Sequence, residues 1–503
     1  MGRNSGAAIP AIVMAVLLAF TVVGCGRDKP ADGSESERAA AAEEFAQQLH
    51  GDVTLDAMMS HLWYLQDIAD RKGGNRAIGS PGYDASVDYV ATQLREAGFE
   101  VRTPEFEVRL PKSEPGTVRA GDASFVAHAL NFSTGTTPDG VTGDLLVLPI
   151  EDDSPGCADD DYAGLDATGA VVLVNRGKCP FADKLAVATK AGAAAVVVAD
   201  TTDEKQMGGT IGENSEVKTP IVSVTKADGA ALREHPGPVT LTVEASVQEI
   251  AVRNVIAQTE TGSSSDVVMV GAHLDSVPEG PGINDNGSGV AAVLETAKKL
   301  GPKPEIANAV RFAFWGAEEV GLVGSQKYIE TLDEAELRDI ALYLNFDMVG
   351  SPNPGYFTID GDQSTTIPRN QPVPRVPEGS AGIERLLSGY LRGQGKESRD
   401  TSFDGRSDYD AFTFAGIPSG GLFSGAEGEM TREEAELWEG QAGQPYDPNY
   451  HKDSDTLEHI NKTAMDIQGR GVAYAVGYYA QDLGGRNGVP AREDRTRHVV
   501  PPS

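Results

Sequence analysis

The sequence predicts an α/β protein with a mostly parallel central sheet flanked by helices, into which a smaller, β-rich α/β domain is inserted. Three apolar runs, 267–275, 309–319 and 340–350, lack the polar alternation of a half-exposed strand and are separated by helical segments. Such strands are typical of a parallel sheet that is buried on both faces. Between residues 112 and 246 the apolar runs become shorter and surround one helical stretch, which indicates a separate module.

A chain of 503 residues exceeds what one hydrophobic core ordinarily organises, so more than one domain is expected. We place the main domain in two parts, 46–111 and 247–485, on either side of the insert at 112–246. Apolar residues spaced by three and four predict helices near both ends of the main domain. The polar, Pro-rich tail at 486–503 is predicted to be disordered.

The first 24 residues read as an export signal. An apolar run leads into Val22-Val23-Gly24-Cys25, which resembles the lipobox of bacterial lipoproteins. The resemblance implies cleavage before Cys25, lipid attachment there and anchoring at the outer face of the cell membrane, and it leaves open whether the protein is shed. A plain secretory signal and an uncleaved anchor helix are the alternatives. The Ser-, Ala- and acid-rich residues 25–45 are predicted to be a flexible tether.

Charge and cysteine content narrow the class of protein. With 42 Lys and Arg against 75 Asp and Glu, the formal net charge is −33, which excludes nucleic acid as a natural partner. If Cys25 carries lipid, Cys157 and Cys179 remain as an even pair. In an oxidising compartment these two would form a disulfide, and two buried free thiols are the alternative.

Acidic and histidine side chains follow the predicted buried strands. They are His273 and Asp275 after the first run, Glu318 and Glu319 after the second, and Asp347 after the third. Open α/β sheets place their sites at the carboxyl ends of the strands, so these side chains are expected to meet. Alone, each motif is also compatible with a polar surface turn.

Two further residues complete a candidate metal set: Asp285, in a Gly- and Pro-rich loop, and His451, in NYHKDSDT. Two histidines cannot supply two divalent metals, so carboxylates must fill the remaining positions. At a strand end the side chains of Glu318 and Glu319 diverge, which would let one bind metal while its neighbour handles a proton.

The series HLDSV, INDNGSGVA, FWGAEEVGLVGS, NFDMVG and YHKDSDT resembles the co-catalytic di-zinc aminopeptidases of metallopeptidase family twenty-eight, above all the secreted bacterial leucyl aminopeptidases. The similarity spans 50–110, where NRAIGSPGYDAS resembles the opening turn of the family, and 250–482. It implies a zinc-exopeptidase (phosphorylase/hydrolase-like) fold. Residues 112–246 resemble a protease-associated domain, and such domains often carry a disulfide between the positions that match Cys157 and Cys179.

The resemblance implies two Zn²⁺ ions per chain. His273 and Asp347 would bind one ion, Glu319 and His451 would bind the other, and Asp285 would bridge them. Calcium is not decided by the sequence. Relatives carry a disulfide beside the last histidine, whereas this chain has no cysteine there.

The resemblance also implies catalytic roles. Glu318 would be the general base, Tyr450 would donate to the tetrahedral oxyanion, and Asp275 would hydrogen-bond the imidazole of His273 and fix its tautomer. Arg406 would shape the pocket around the substrate amine.

The expected activity is removal of large apolar N-terminal residues, such as Leu, from peptides with a free N-terminus, by a monomeric enzyme. Phe423, Met430, Trp438 and Tyr446 either line the side-chain pocket or belong to the core. A carboxypeptidase or dipeptidase is the nearest alternative, but it would need a basic cluster. A glutaminyl cyclase would use one zinc, and a peptide-binding, receptor-like protein should have lost metal ligands.

Overall fold

The computed structural model describes residues 32–149, 156–203, 207–365, 373–484 and 488–501, so the export signal and Cys25 lie outside it. The α-helices are α1 Asp32–Asp52, α2 Leu55–Arg71, α3 Pro81–Glu96, α4 Phe181–Lys190, α5 Lys226–Arg233, α6 Gly289–Leu300, α7 Val323–Glu330, α8 Glu334–Asp339, α9 Ser380–Gly393, α10 Tyr409–Phe414, α11 Arg432–Trp438 and α12 Lys462–Gln481. Across these described ranges, no helix combines the length and the apolar character needed to cross a bilayer.

The strands fall into a central sheet, a ribbon and a barrel. They are β1 Val101–Arg102, β2 Glu105–Ser113, β3 Gly116–Ala120, β4 Ala123–Ala129, β5 Val141–Val147, β6 Val171–Asn175, β7 Ala195–Ala199, β8 Ile221–Val224, β9 Pro238–Thr242, β10 Ala245–Arg253, β11 Val255–Gln258, β12 Ser263–His273, β13 Asn308–Trp315, β14 Ile340–Phe346, β15 Phe357–Ile359, β16 Arg399–Thr401 and β17 Ser419–Phe423.

The central sheet has eight strands in the order β1-β11-β13-β12-β14-β17-β15-β16. Its middle is parallel: β12 pairs with β13 and β14, and β14 pairs with β17. Antiparallel pairs occur toward the edges, at β1–β11, β11–β13 and β15–β17. Val268 and Val270 pack in one hydrophobic cluster while Met269 packs in another, so both faces of β12 are buried. The predicted mostly parallel α/β sheet is therefore confirmed.

The predicted flexible tether at 25–45 is wrong from residue 32 onward, because α1 begins there and packs along α12. Ala42 and Ala46 are fully buried in this contact, and the Tyr474 hydroxyl donates to Glu43 Oε2 at 2.7 Å. A Cβ on Gly477 would lie 2.8 Å from the Ala46 Cα, so small side chains let the two helices approach closely. The Ala-rich composition that suggested a linker also favours a helix.

The insert is joined to the sheet domain by a two-stranded ribbon. Strands β2 and β10 pair antiparallel over nine residues each, from Glu105 opposite Arg253 to Ser113 opposite Ala245. Beyond the ribbon, the strands close into a barrel in the order β3-β4-β8-β7-β6-β5-β9. One hydrophobic cluster fills the barrel, and a second lies against α4. Cys157 and Cys179 form a disulfide, so the free-thiol alternative is excluded.

The C-terminal tail, predicted to be disordered from 486, is ordered over 488–501. Arg497 is buried and donates to the carbonyl oxygens of Leu337, Gly416 and Ile340. Arg495, also buried, donates to Asp266 Oδ1 at 2.5 Å. The tail thus covers the amino ends of β12 and β14, and its arginines satisfy backbone groups that burial would otherwise leave unpaired.

Replacing Cys157 and Cys179 together by Ser should destabilise the insert alone. The bond closes a loop with a sequence separation of 22, and on the chain-entropy model its loss costs about 3 kcal/mol. Hydrogen exchange should therefore accelerate across 116–242 while β12, β13 and β14 keep their protection. The wild type treated with reductant is the matched control and should behave like the variant. Unchanged exchange in the barrel would contradict this assignment.

Candidate metal centre

Three neighbouring parallel strands deliver most of the predicted ligands to one edge of the sheet. The register pairs His273 at the end of β12 with Trp315 at the end of β13, and Gly271 with Asn345 near the end of β14. His273 is the last residue of its strand, Asp347 follows directly after β14, and Glu318 and Glu319 follow shortly after β13. The chain therefore leaves the three strands side by side, with these side chains facing one another.

The five predicted metal ligands meet around one shared carboxylate. Asp285 Oδ1 lies 3.2 Å from His273 Nε2, and Asp285 Oδ2 lies 3.2 Å from His451 Nε2. On one side His273 Nε2 is 3.2 Å from Asp347 Oδ1. On the other side His451 Nε2 is 3.0 Å from Glu319 Oε2. The arrangement has two halves, each with one imidazole and one carboxylate, and Asp285 between them.

The turn that carries Asp285 is fixed by the side chain of Asn286. Asn286 Oδ1 accepts the N–H of Gly289 at 2.9 Å and that of Met348 at 3.1 Å, while its Nδ2 donates to the Phe346 carbonyl at 3.0 Å. These bonds tie the start of α6 to the end of β14. They set the distance between Asp285 and the segment that carries Asp347.

Crowding of buried carboxylates shifts the pKa values of the cluster. Burial, followed by the charge of Asp285, raises the pKa of Glu319 to about 7. Burial likewise raises the pKa of Glu318 well above its usual value. For His451, burial opposes protonation, but hydrogen bonds to Asp285 and Glu319 outweigh it and raise the pKa to about 10. The surrounding carboxylates also raise the pKa of buried His273 well above its usual value, against the effect of burial.

The donor set fits divalent cations. Ligand atoms of His273, Asp285 and Glu319 lie within 4.8 Å of one another, and so do those of His273, Glu318 and Asp347. Glu319 Oε1 is buried and has no hydrogen-bond partner among the described residues, so a positive charge beside it would satisfy an otherwise unpaired oxygen. Imidazole nitrogens with carboxylate oxygens are the ligands that zinc takes in catalytic sites.

Asp275 makes the expected hydrogen bond to the imidazole of His273, but through its backbone carbonyl and not through its carboxylate. Its carboxylate does not hydrogen-bond the imidazole of His273: Nδ1 and Oδ1 are 3.9 Å apart. Instead, both carboxylate oxygens are occupied by the backbone N–H groups of Glu318 at 3.2 Å and Glu319 at 3.3 Å. The Asp275 carbonyl accepts from His273 Nδ1 at 3.1 Å, which leaves Nε2 free for a metal. Asp275 thus positions both glutamates and, through its backbone, the histidine.

Tyr450 and Arg406 lie at the mouth of the site. The Tyr450 ring stacks on His451 with centroids 3.8 Å apart. Arg406 Nη2 donates to the Tyr450 hydroxyl at 3.3 Å, and Nη1 donates to Glu427 Oε1 at 2.7 Å. A guanidinium can only donate, so the Tyr450 oxygen accepts and its own proton remains available to another acceptor.

A cavity of about 340 Å³ opens beside the metal ligands. Its apolar wall is formed by Met348, Phe357, Ile359, Leu422, Phe423 and Tyr446. Of the four side chains considered from the sequence, Phe423 and Tyr446 line the cavity, whereas Met430 and Trp438 are buried in the core. Phe423 and Tyr446 thus agree with the pocket interpretation, whereas Met430, Trp438 and also Tyr446, which is buried in the same cluster, agree with the core interpretation.

Sequence reasoning missed Arg76, which lies in the NRAIGSPGYDAS segment. The side chain is 0% exposed and donates to the carbonyl oxygens of Leu274, Pro281 and Gly282. Its backbone N–H donates to Ser276 Oγ at 2.9 Å. Arg76 thus fixes the segment between His273 and Asp285 through hydrogen bonds to its backbone. The sequence around it, Asn75-Arg76-Ala77-Ile78-Gly79, carries no motif that signals this role.

Arg76→Met should destabilise the protein by about 3 kcal/mol, since it leaves buried carbonyl groups without donors. Urea unfolding in the presence of a chelator measures this without a contribution from metal binding. Arg71→Met is the control: Arg71 is exposed and, among the residues that the structure describes, pairs only with Asp67, so its replacement should change stability by less than about 0.5 kcal/mol. Equal unfolding midpoints for both variants would contradict the role of Arg76.

Comparison with known proteins agrees with this geometry. Residues 254–476 match peptidase family M28, and residues 141–232 match the PA domain. A protein of Mycobacterium tuberculosis named "Probable lipoprotein aminopeptidase LpqL" is 60% identical over 99% of both chains. The "probable leucine aminopeptidase 2" of Aspergillus oryzae is 39% identical over 90% of both chains.

Solved structures show the same fold. An aminopeptidase from Aneurinibacillus sp. strain AM-1 superposes with a TM-score of 0.67 at 27% identity, covering 86% of this chain and 96% of the other. BSAP, a zinc aminopeptidase from Bacillus subtilis, superposes with a TM-score of 0.59 at 25% identity, covering 87% and 97%. The chain therefore belongs to peptidase family M28, as a metallo-aminopeptidase with a PA domain inserted into its peptidase fold.

Proposed function

We propose that this aminopeptidase uses two zinc ions to remove large apolar residues such as Leu from the N-termini of peptides. The observation that carries the proposal is the carboxylate of Asp285, which lies between the imidazoles of His273 and His451 beside an apolar cavity. The names of two relatives, a leucine aminopeptidase and a zinc aminopeptidase, support the residue preference and the metal.

In this proposal, each ion is bound by a histidine and a carboxylate that lie close to each other. His273 and Asp347 would hold one ion, Glu319 and His451 would hold the other, and Asp285 would be shared between them. When bound, zinc would lower the pKa of a water molecule and polarise the scissile carbonyl.

Glu318 moves the proton. Its side chain diverges from that of Glu319, and it lines the cavity on the His273 side, with Oε2 4.0 Å from His273 Nε2. From this position Glu318 takes a proton from the attacking water and hands it to the leaving amine. The backbone N–H groups of Glu318 and Glu319 donate to the carboxylate of Asp275. These hydrogen bonds fix the backbone of both glutamates, so that their side chains keep their different directions.

Tyr450 stabilises the oxyanion. Because Arg406 donates to the Tyr450 oxygen, the phenolic proton is directed away from Arg406 and can be donated to the tetrahedral oxygen of the substrate. The stacking of Tyr450 on His451 places this donor next to the metal ligands. Arg406 therefore orients Tyr450.

The charges of the cavity favour a free substrate N-terminus. Its lining contains the carboxylates of Asp404 and Glu427 as well as those of the metal ligands, and a protonated amine can pair with such groups. Arg406 and His273 are the basic residues among the described lining, and Arg406 already pairs with Glu427. A carboxypeptidase would need an unengaged cation for the terminal carboxylate of its substrate. All five metal ligands converge, which also disfavours a receptor without metal.

We further propose that the enzyme is exported and anchored by lipid at Cys25, on the lipobox resemblance and on the word lipoprotein in the name of the Mycobacterium tuberculosis relative. The first described helix, α1, begins at residue 32, so the folded enzyme would lie close to the membrane surface.

Aminoacyl p-nitroanilides test the proposed activity. Leucyl p-nitroanilide should be hydrolysed faster than the glutamyl and lysyl compounds, because the cavity wall is apolar. N-acetyl-leucyl p-nitroanilide, which differs only in its blocked amine, should not be hydrolysed. Dialysis against a chelator should abolish activity, and zinc should restore it with two ions per chain by mass spectrometry. Full activity of the metal-free sample, or hydrolysis of the blocked compound, would contradict the proposal.

Glu318→Gln should retain zinc but lose about 10²–10⁴ in turnover, the usual scale for an acid–base group. Its neighbour supplies the matched control: Glu319→Gln changes the same charge one residue away and should instead lose zinc, since Glu319 faces His451. Metal content and turnover measured together separate the two roles. Near-normal turnover of the Glu318 variant would remove it from the role of base.

A further inference from the structure

The residues from 447 to 455, called the His451 loop here, carry the last metal ligand on an exposed segment. The side chain of His451 is 39% exposed, its φ is 56°, and the loop contains no cysteine. A histidine on such a loop has to be held by other contacts if it is to stay beside Asp285. Those contacts come from the two ends of the loop.

At one end, Asp455 receives three consecutive backbone N–H groups of the Asp285 turn. Its Oδ1 accepts from Asn284 at 2.8 Å, its Oδ2 accepts from Asp285 at 3.0 Å, and its carbonyl oxygen accepts from Ile283 at 3.2 Å. Asp455 is 2% exposed. These three bonds fix the backbone of residues 283–285 against Asp455.

At the other end, Asp447 receives the side chain of Asn284. Asp447 Oδ2 accepts from Asn284 Nδ2 at 2.6 Å, and its Oδ1 accepts the N–H of Asn449 at 2.8 Å. Asn284 is itself fixed, because its Nδ2 also donates to Ser351 Oγ and its Oδ1 accepts from the N–H of Gly350. Both ends of the His451 loop are therefore hydrogen-bonded to the same short turn.

The backbones also touch between these two ends. A Cβ placed on Gly280 would lie 2.0 Å from the carbonyl oxygen of Lys452, so no side chain fits at that position. The His451 loop lies flat against the segment that leads to Asp285. A small displacement of either aspartate would change the gap between the imidazole and the shared carboxylate.

An amide side chain cannot make the contacts of Asp455, because each of its two carboxyl oxygens accepts one backbone N–H. Two N–H groups on adjacent residues each need an acceptor, and an Asn side chain offers one acceptor oxygen and one donor group. Placing two more buried acidic side chains near Asp285 adds charge repulsion to the cost of desolvation.

From these contacts we infer that Asp447 and Asp455 are positioning residues that hold His451 against Asp285, so that the ion bound by His451 and Glu319 is retained. The inference rests on the proposed metal centre and deepens it. Neither residue is among the ligands, and each acts through the turn at 283–285. Replacing outer partners of this kind typically lowers metal affinity 10–100-fold.

Asp455→Asn tests the inference, with Asp453→Asn as the matched control. Asp453 lies in the same loop, is exposed and undergoes the same change of charge. Zinc per chain is measured by mass spectrometry over a series of free zinc concentrations set by a chelator buffer. The Asp455 variant should bind its second zinc about 10–100-fold more weakly than the control, and turnover at saturating zinc should recover to within about tenfold of the control.

Asp447→Asn should shift zinc binding in the same direction and provides a second variant if Asp455→Asn does not fold, as judged by circular dichroism. If either folded variant binds zinc as tightly as Asp453→Asn, the inference is wrong. If neither folds in the presence of zinc, the two carboxylates serve the fold and not the loop, and the inference is also wrong. Absence of zinc from the wild type would instead reject the metal centre itself.

Discussion

The site depends on one constraint: β12, β13 and β14 are adjacent, parallel and buried, so the chain leaves all three at the same edge of the sheet. This places an imidazole and several carboxylates within a few ångströms, an arrangement that like charges oppose. The fold tolerates it because oriented donors surround the acids. Backbone N–H groups meet Asp275 and Asp455, and the buried guanidinium of Arg76 fixes the intervening segment through carbonyl oxygens.

These supporting contacts share a pattern. A side chain from one element satisfies the backbone of another, as Asn286 does between α6 and β14 and as Asp455 does between the His451 loop and the Asp285 turn. Backbone groups move less than long side chains, so each such hydrogen bond fixes the position of one element relative to the other. The metal ligands can therefore lie in loops after strands and still keep a defined spacing, because the loops are tied to one another as well as to the sheet.

The sequence predicted the parts of the site that follow from periodicity and motif. Continuous apolar runs identified the strands, and the acids after them were placed at the correct edge. Asp285 and His451 were added from the loops that carry them, and the family resemblance then supplied the role of each ligand. Directions of side chains beyond a strand end were not predictable, since they depend on the local turn. The sequence therefore did not show that Asp275 contacts His273 through its carbonyl while its carboxylate accepts from Glu318. Arg76 was missed because its acceptors lie about two hundred residues away. The predictions for the N-terminal helix and the C-terminal tail were wrong because amino-acid composition shows how polar a segment is but not which part of the protein it packs against.

The ribbon of β2 and β10 has a consequence for how such a protein can change over evolution. Ser113 and Ala245 face each other across the stem, so the chain departs from the peptidase and returns to it at neighbouring points. Everything beyond that stem can be lengthened, exchanged or lost while the two ends of the interrupted enzyme remain together. The barrel is thus a module whose surface is free to acquire new contacts without disturbing the chemistry beneath it.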